Sequence, residues 1–179
     1  RMEDSSVTGG LITALTDENP AIRNNAITLL ERLNDPQAVK PLAEITLTHK
    51  DPNSRKLAAW ALGAFDNAVS VKLLQKALME QESRIRQNAV EALESIKHPL
   101  SVEVLISALK DEDPKIRAKA AYSLGSIRHP KATAPLIEAL RDRDEKVRQN
   151  AAAALEFITT ENFGENPALW EEWWKDESL

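Results

Sequence analysis

Cysteine is absent from the 179 residues, which excludes disulfides, a thiolate nucleophile and cysteine-ligated zinc and leaves the redox compartment open. Glycine and proline are scarce, at 5 and 9, and their few occurrences fall periodically. No apolar run exceeds a few residues, so no membrane span is expected. Positive charge is in deficit: 23 Lys and Arg stand against 28 Asp and Glu, a net charge of −5. That balance argues against sequence-independent binding to nucleic acid or to anionic membranes. With 42% hydrophobic and 28% charged residues, the composition is that of a soluble globular chain, long enough for a real core. The chain opens on Arg1 and not on Met, so its ends read as trimmed. The cytoplasm is the favoured compartment, or the periplasm had a signal peptide been removed.

What is present is a repeat. Five segments align: Asn19-Pro-Ala-Ile-Arg, Asp51-Pro-Asn-Ser-Arg, Glu82-Ser-Arg-Ile-Arg, Asp113-Pro-Lys-Ile-Arg and Asp144-Glu-Lys-Val-Arg. Their final arginines, Arg23, Arg55, Arg86, Arg117 and Arg148, are separated by 32, 31, 31 and 31 residues. Three positions on stand Ala26, Ala58, Ala89, Ala120 and Ala151, and seven on stand Leu30, Leu62, Leu93, Leu124 and Leu155. Ten on come Leu33, Phe65, Ile96, Ile127 and Ile158. These offsets share one face at about 100° per residue, which predicts five amphipathic helices. Asn19-Pro20, Asp51-Pro52 and Asp113-Pro114 supply a side-chain acceptor at the N-cap and a proline where no N–H is missed.

A shorter helix precedes each cap, expected over 39–47, 71–79, 102–109 and 133–140, with 7–15 as the matching opening helix. Pro36, Pro99 and Pro130 are expected to mark the turn between helices. Neither helix of a pair can bury its apolar face alone, so the pairs must stack. The predicted fold is all-α: a right-handed α-α superhelix, or α-solenoid, of about five helix pairs over residues 5–159. Residues 160–179 are expected to form a Trp-rich C-terminal cap, in which Trp170, Trp173 and Trp174 make a helical stripe over the open end of the last pair. The rival reading of that stripe is a sticky peptide-binding or dimerising patch.

The second-helix pattern Asp-x-x-(Ile/Val)-Arg-x-x-Ala-x-x-Ala-Leu-Gly and the first-helix pattern Pro-Leu-x-x-Ala-Leu resemble the HEAT-repeat superfamily. The likeness is to the short bacterial type also found in phycobilisome-lyase-like proteins, and it covers about residues 7–158. It implies protein–protein interaction, with the second helices lining a concave face. Ser54 in place of Ile or Val, an inserted residue near His49, and Glu82 in place of a capping Asp depart from the pattern and are expected to weaken the second and third repeats.

The arginine column, with an acidic or amide residue four positions before each member, reads as a structural ladder in which guanidinium groups pair with acidic or carbonyl oxygens. A phosphate-binding groove is disfavoured by those acidic neighbours. His98 and His129 occupy equivalent turns about 8–10 Å apart, too far to share one metal, and His49 has no evident partner. The iron-binding HEAT-like hydroxylases carry repeated His-Glu pairs, and no His-Glu dipeptide occurs here. No catalytic, cofactor-binding or metal-ligating residue is therefore assigned, and the chain is expected to be non-enzymatic.

Offset 5 on the second helices carries Thr28, Trp60, Glu91, Tyr122 and Ala153, which places a tryptophan and the only tyrosine on the polar side. The candidate partner-binding residues on the concave face are Trp60, Tyr122, Asn25, Lys56, Gln87, Asn88, Glu91, Lys119, Gln149 and Asn150. The aromatic pair would anchor a protein or peptide, and the amides would hydrogen-bond its backbone. The alternatives are a bilin-lyase-like or chromophore-handling protein, and a regulatory or spacer domain of a larger polypeptide.

Overall fold

The computed structural model describes residues 2–65 and 67–177; position 66 of the predicted array and positions 178 and 179 of the predicted cap lie outside them. The described residues form eleven α-helices and two 3-10 turns, with no strand. They fall into two compact units, Arg1–His98 and Pro99–Leu179.

The first unit holds α1 (Met2–Ala14), α2 (Pro20–Leu33), α3 (Val39–Thr48), α4 (Pro52–Leu62), α5 (Asn67–Ala77) and α6 (Ser83–Ile96). These make three antiparallel pairs. The second helices α2, α4 and α6 pack in succession, and each first helix lies against its own second helix. Between them Ile27, Leu30, Leu42, Ala58, Leu62 and Phe65 form the core.

The second unit holds α7 (Pro99–Ala108), α8 (Pro114–Ile127), α9 (Thr133–Ala139), α10 (Glu145–Thr159) and α11 (Pro167–Glu177). Here α8 packs on α10, and α11 lies against α9. Gly125 permits the α8–α10 approach, since a Cβ there would stand 2.8 Å from both Cα and Cβ of Ala154. Trp170 is fully buried, its indole N–H donates to the Gly164 carbonyl at 2.9 Å, and Phe163 meets its ring edge-on at 4.9 Å. Gly164 has φ of 55°, a conformation glycine adopts without a steric cost.

The helix starts follow their caps. Asn19 accepts from Ala21 N at 2.9 Å and Asp113 from Lys115 N at 2.9 Å, while Asp51 accepts from Asn53 N and Ser54 N. Glu82 makes no side-chain cap; its longer carboxylate reaches Arg84 instead, at 3.0 Å. Four second helices end on a residue with positive φ, Asn34, Lys97, Arg128 and Thr160, whose N–H closes onto the last turn.

Several expected boundaries shift. Pro36 and Pro130 open 3-10 turns, but Pro99 opens α7 directly, because proline serves equally as the first residue of a helix. α7 therefore spans Pro99–Ala108, and α5 spans Asn67–Ala77, each beginning earlier than the apolar periodicity implies.

Candidate functional site

Each second helix brings its arginine to the same place. Nη1 of Arg23 donates to the carbonyls of Asp17 and Glu18 at 2.8 and 2.9 Å. Arg55 repeats this at His49 and Lys50, and Arg86 at Glu80 and Gln81. Arg117 and Arg148 do the same at Asp111 and Glu112 and at Asp142 and Arg143. The acceptors always lie six and five residues before the arginine. They are carbonyls of the turn after the first helix, which would otherwise lack donors.

The outer edge of the guanidinium reaches forward along the chain. Arg117 grips Asp142 through Nε to Oδ2 at 2.7 Å and Nη2 to Oδ1 at 2.8 Å. Arg148 Nε reaches Glu165 at 3.3 Å. Arg23 Nη2 reaches Asp51 at 3.2 Å, and its Nε donates to the Ser54 hydroxyl at 3.3 Å. Ser54 is fully buried and donates onward to Asp51 at 2.7 Å. That hydroxyl is the main reason the Asp51 carboxyl lies at about 2. Ser54 thus replaces an apolar contact with a hydrogen-bonded one.

The expected interaction residues separate into distinct groups. In the first unit Trp60 is 56% exposed, with Lys56, Asn25 and Gln87 also exposed and Glu91 half-buried. Gln87 Nε2 donates to Glu91 at 3.4 Å. Lys56, Asn88 and Glu91 line one shallow cleft with Arg55, Ala59 and Ser95, of only about 20 Å³, room for about one water molecule. Asn88 departs from the expectation: it is buried, and its amide donates to the Leu47 carbonyl at 2.6 Å. It ties α6 to the end of α3.

In the second unit Tyr122 is 53% exposed, and the Lys119 ammonium stands 5.4 Å from its ring centroid. Gln149 is exposed and bonds Glu145 at 2.9 Å. Asn150 is half-buried, and its amide donates to the Ala118 carbonyl at 2.8 Å. Phe157, which periodicity did not single out, is 52% exposed, with Arg128 5.4 Å from its ring. Its signal is a departure within one column: the equivalent positions are Arg32, Ala64, Ser95 and Ser126.

Two of the histidines serve turns. His49 Nδ1 accepts from Asp51 N at 3.1 Å and His129 Nδ1 from Lys131 N at 3.2 Å. Among the described residues no group of three or more His, Cys, Asp or Glu could hold a metal ion, and no helix is long and apolar enough to cross a membrane.

Stacked α-α pairs, ordered by a recurrent arginine and capped in four of five cases by Asn or Asp, define an α-solenoid. The HEAT-repeat family model matches residues 8–94 and 76–156, so the chain belongs to the HEAT-repeat family. No curated protein matches it. Among solved structures, the phycocyanin lyase complex of CpcE and CpcF from a Nostoc species is 22% identical. The match covers 93% of this chain and 68% of that one, with a TM-score of 0.55. Human deoxyhypusine hydroxylase is 20% identical over 89% of this chain and 76% of that one, with a TM-score of 0.55. A designed armadillo-repeat protein in complex with a (KR)4 peptide is 18% identical over 88% and 84%, with a TM-score of 0.51. At these identities the likeness is one of fold.

Proposed function

We propose that the chain is a non-enzymatic interaction scaffold that binds a protein or an extended peptide on the face formed by its second helices. The observation that carries this reading is the register position shared by Trp60 and Tyr122. Both stand on the polar side of a second helix, more than half exposed at 56% and 53%, where rigid aromatics act as anchors at low entropic cost. Lys119 lies over the Tyr122 ring and Lys56 stands one turn before Trp60 on α4; Gln87, Glu91 and Gln149 complete the proposed surface. The peptide in the armadillo-repeat complex is a precedent for this mode. The arginine column is a ladder in this proposal, its guanidinium groups engaged with carbonyls and, at Arg23, Arg117 and Arg148, with side chains of the following segment. α11 is the cap of the last pair. No nucleic acid is proposed as partner, given the net charge of −5.

Peptides selected from a random library on the purified chain test the proposal. Trp60→Ala or Tyr122→Ala is expected to weaken binding about tenfold, as for a hot-spot residue. Undiminished binding by a double variant of unchanged helical signal would overturn it. Addition of a linear tetrapyrrole distinguishes the chromophore-handling reading: the scaffold reading expects an unchanged visible spectrum, and a red shift with tight binding contradicts it.

A further inference from the structure

The third repeat departs from the others at both positions that supply side-chain acceptors to the arginine ladder. Six residues before the arginine stands Glu80, where the other repeats have Asp17, His49, Asp111 and Asp142. Four residues before it stands Glu82, where they have Asn19, Asp51, Asp113 and Asp144. An aspartate here is fixed by the backbone two residues on: Asp51 by Asn53 N at 3.2 Å and Asp142 by Asp144 N at 2.8 Å. Glutamate carries its carboxylate one methylene farther out and is not held by that turn. Glu82 makes no side-chain cap and reaches Arg84 instead. Glu80 is exposed and lines the groove between α3 and α5, and among the described residues nothing donates to its carboxylate.

The arginine left unserved is Arg55, on the preceding pair. Its Nη1 is fixed by the His49 and Lys50 carbonyls at 2.9 and 3.2 Å. Arg23 goes on to meet Asp51 and Ser54, and Arg117 to meet Asp142. At Arg55 no side chain among the described residues meets Nε or Nη2, and the register position of Ser54 is taken by Ile85, which has no acceptor. Arg55 is half-buried in the shallow cleft that also holds Lys56 and Glu91. Lys56 has no ion pair among the described residues either, so the cleft sets two cations against one carboxylate.

We infer that the outer edge of the Arg55 guanidinium binds a carboxylate of the partner, an Asp or Glu side chain of the peptide anchored at Trp60; this rests on the interaction reading proposed above. Arg117 shows what the fork takes: the same two nitrogens hold both oxygens of Asp142 at 2.7 and 2.8 Å, the bidentate geometry in which arginine matches a carboxylate. Because two carbonyls already fix Nη1 of Arg55, binding has little side-chain freedom left to remove. A cleft of about 20 Å³ admits no whole side chain, so the carboxylate is received at its mouth. Arg55 precedes Trp60 by five residues on α4, about 7.5 Å along the axis, a distance that about two residues of extended peptide cover.

Peptides selected from a random library on the full chain, and weakened by Trp60→Ala, are the probes. The inference expects one Asp or Glu to recur in them. Its replacement by Asn or Gln should weaken binding to the parent chain about tenfold, as loss of a hydrogen bond between charged groups does. Glu80→Asp combined with Glu82→Asp restores the short acceptors, so Arg55 should be gripped from within the chain. The melting temperature then rises, and the acid-to-amide change in the peptide costs no more than about twofold. Arg55→Lys keeps the charge without the fork and should likewise reduce that cost; should the melting temperature of the aspartate variant not rise, this comparison decides alone. Trp60-dependent peptides with no recurring acid overturn the inference and leave the interaction reading standing. So does an acid-to-amide cost that survives undiminished in both variants. If no Trp60-dependent peptide emerges, the interaction reading fails and the inference falls with it.

Discussion

Arg117 and Asp142 meet in parallel, two nitrogens on two oxygens at 2.7 and 2.8 Å, with side-chain exposures of only 7% and 13%. The Arg117 guanidinium holds the Asp142 carboxyl below its ordinary range, and Asp142 raises the arginine in turn. Because Asp142 titrates lower in the folded chain, its stabilisation is full above the ordinary carboxylate value near 3.9. It is lost as pH falls from there through the folded value. Asp142→Asn should cost about 3 kcal/mol at neutral pH by leaving a buried guanidinium without its counter-charge. The variant should also lose less stability than the parent on acidification. Urea unfolding at pH 7 and pH 3 checks both.

Gly125 predicts an inversion of helix propensity. Alanine in a helix interior is ordinarily favoured over glycine by about 1 kcal/mol. Here the added Cβ would meet Ala154 at 2.8 Å, and overpacking of this kind costs about 1–3 kcal/mol. Gly125→Ala should therefore destabilise the chain, and the denaturant midpoint will show the sign.

Trp170 predicts the energetic weight of the C-terminal helix. The ring is fully buried and hydrogen-bonded, so Trp170→Ala should cost about 3–5 kcal/mol. Trp60→Ala, at an exposed site, should change stability by no more than about 0.5 kcal/mol. Thermal melts of the two variants make the comparison.

Ser54 predicts a titration. Its hydroxyl is the largest cause of the Asp51 carboxyl lying at about 2. Ser54→Ala should move that carboxyl back toward its ordinary value, near 3.9. A carbon-detected NMR titration of Asp51 reads the shift, and an unmoved midpoint would contradict the assignment.

The stacking pattern was legible because period and chemistry agree: offsets of 3 and 7 are buried in all five second helices, offset 10 only at Phe65, and an Asn or Asp at four of the five starts gives the caps. The carbonyl acceptors of each arginine follow from the same repeat. The fate of Asn88 and Asn150 was not legible, since periodicity gives a direction around the helix but not the depth at which a neighbouring carbonyl waits. Pro99 escaped for a related reason. Proline fits both a turn and a first helical position, and the choice depends on the following residues. Phe157 was readable only as an outlier in a column of small or polar residues.

The most direct measurement follows the four tryptophan indole N–H resonances of the isotope-labelled chain during titration with a library-selected peptide. The interaction account predicts that the Trp60 resonance moves in proportion to binding while that of Trp170, buried and donating to Gly164, stays in place. A stationary Trp60 with moving Trp173 and Trp174 would transfer binding to the C-terminal stripe and contradict the account.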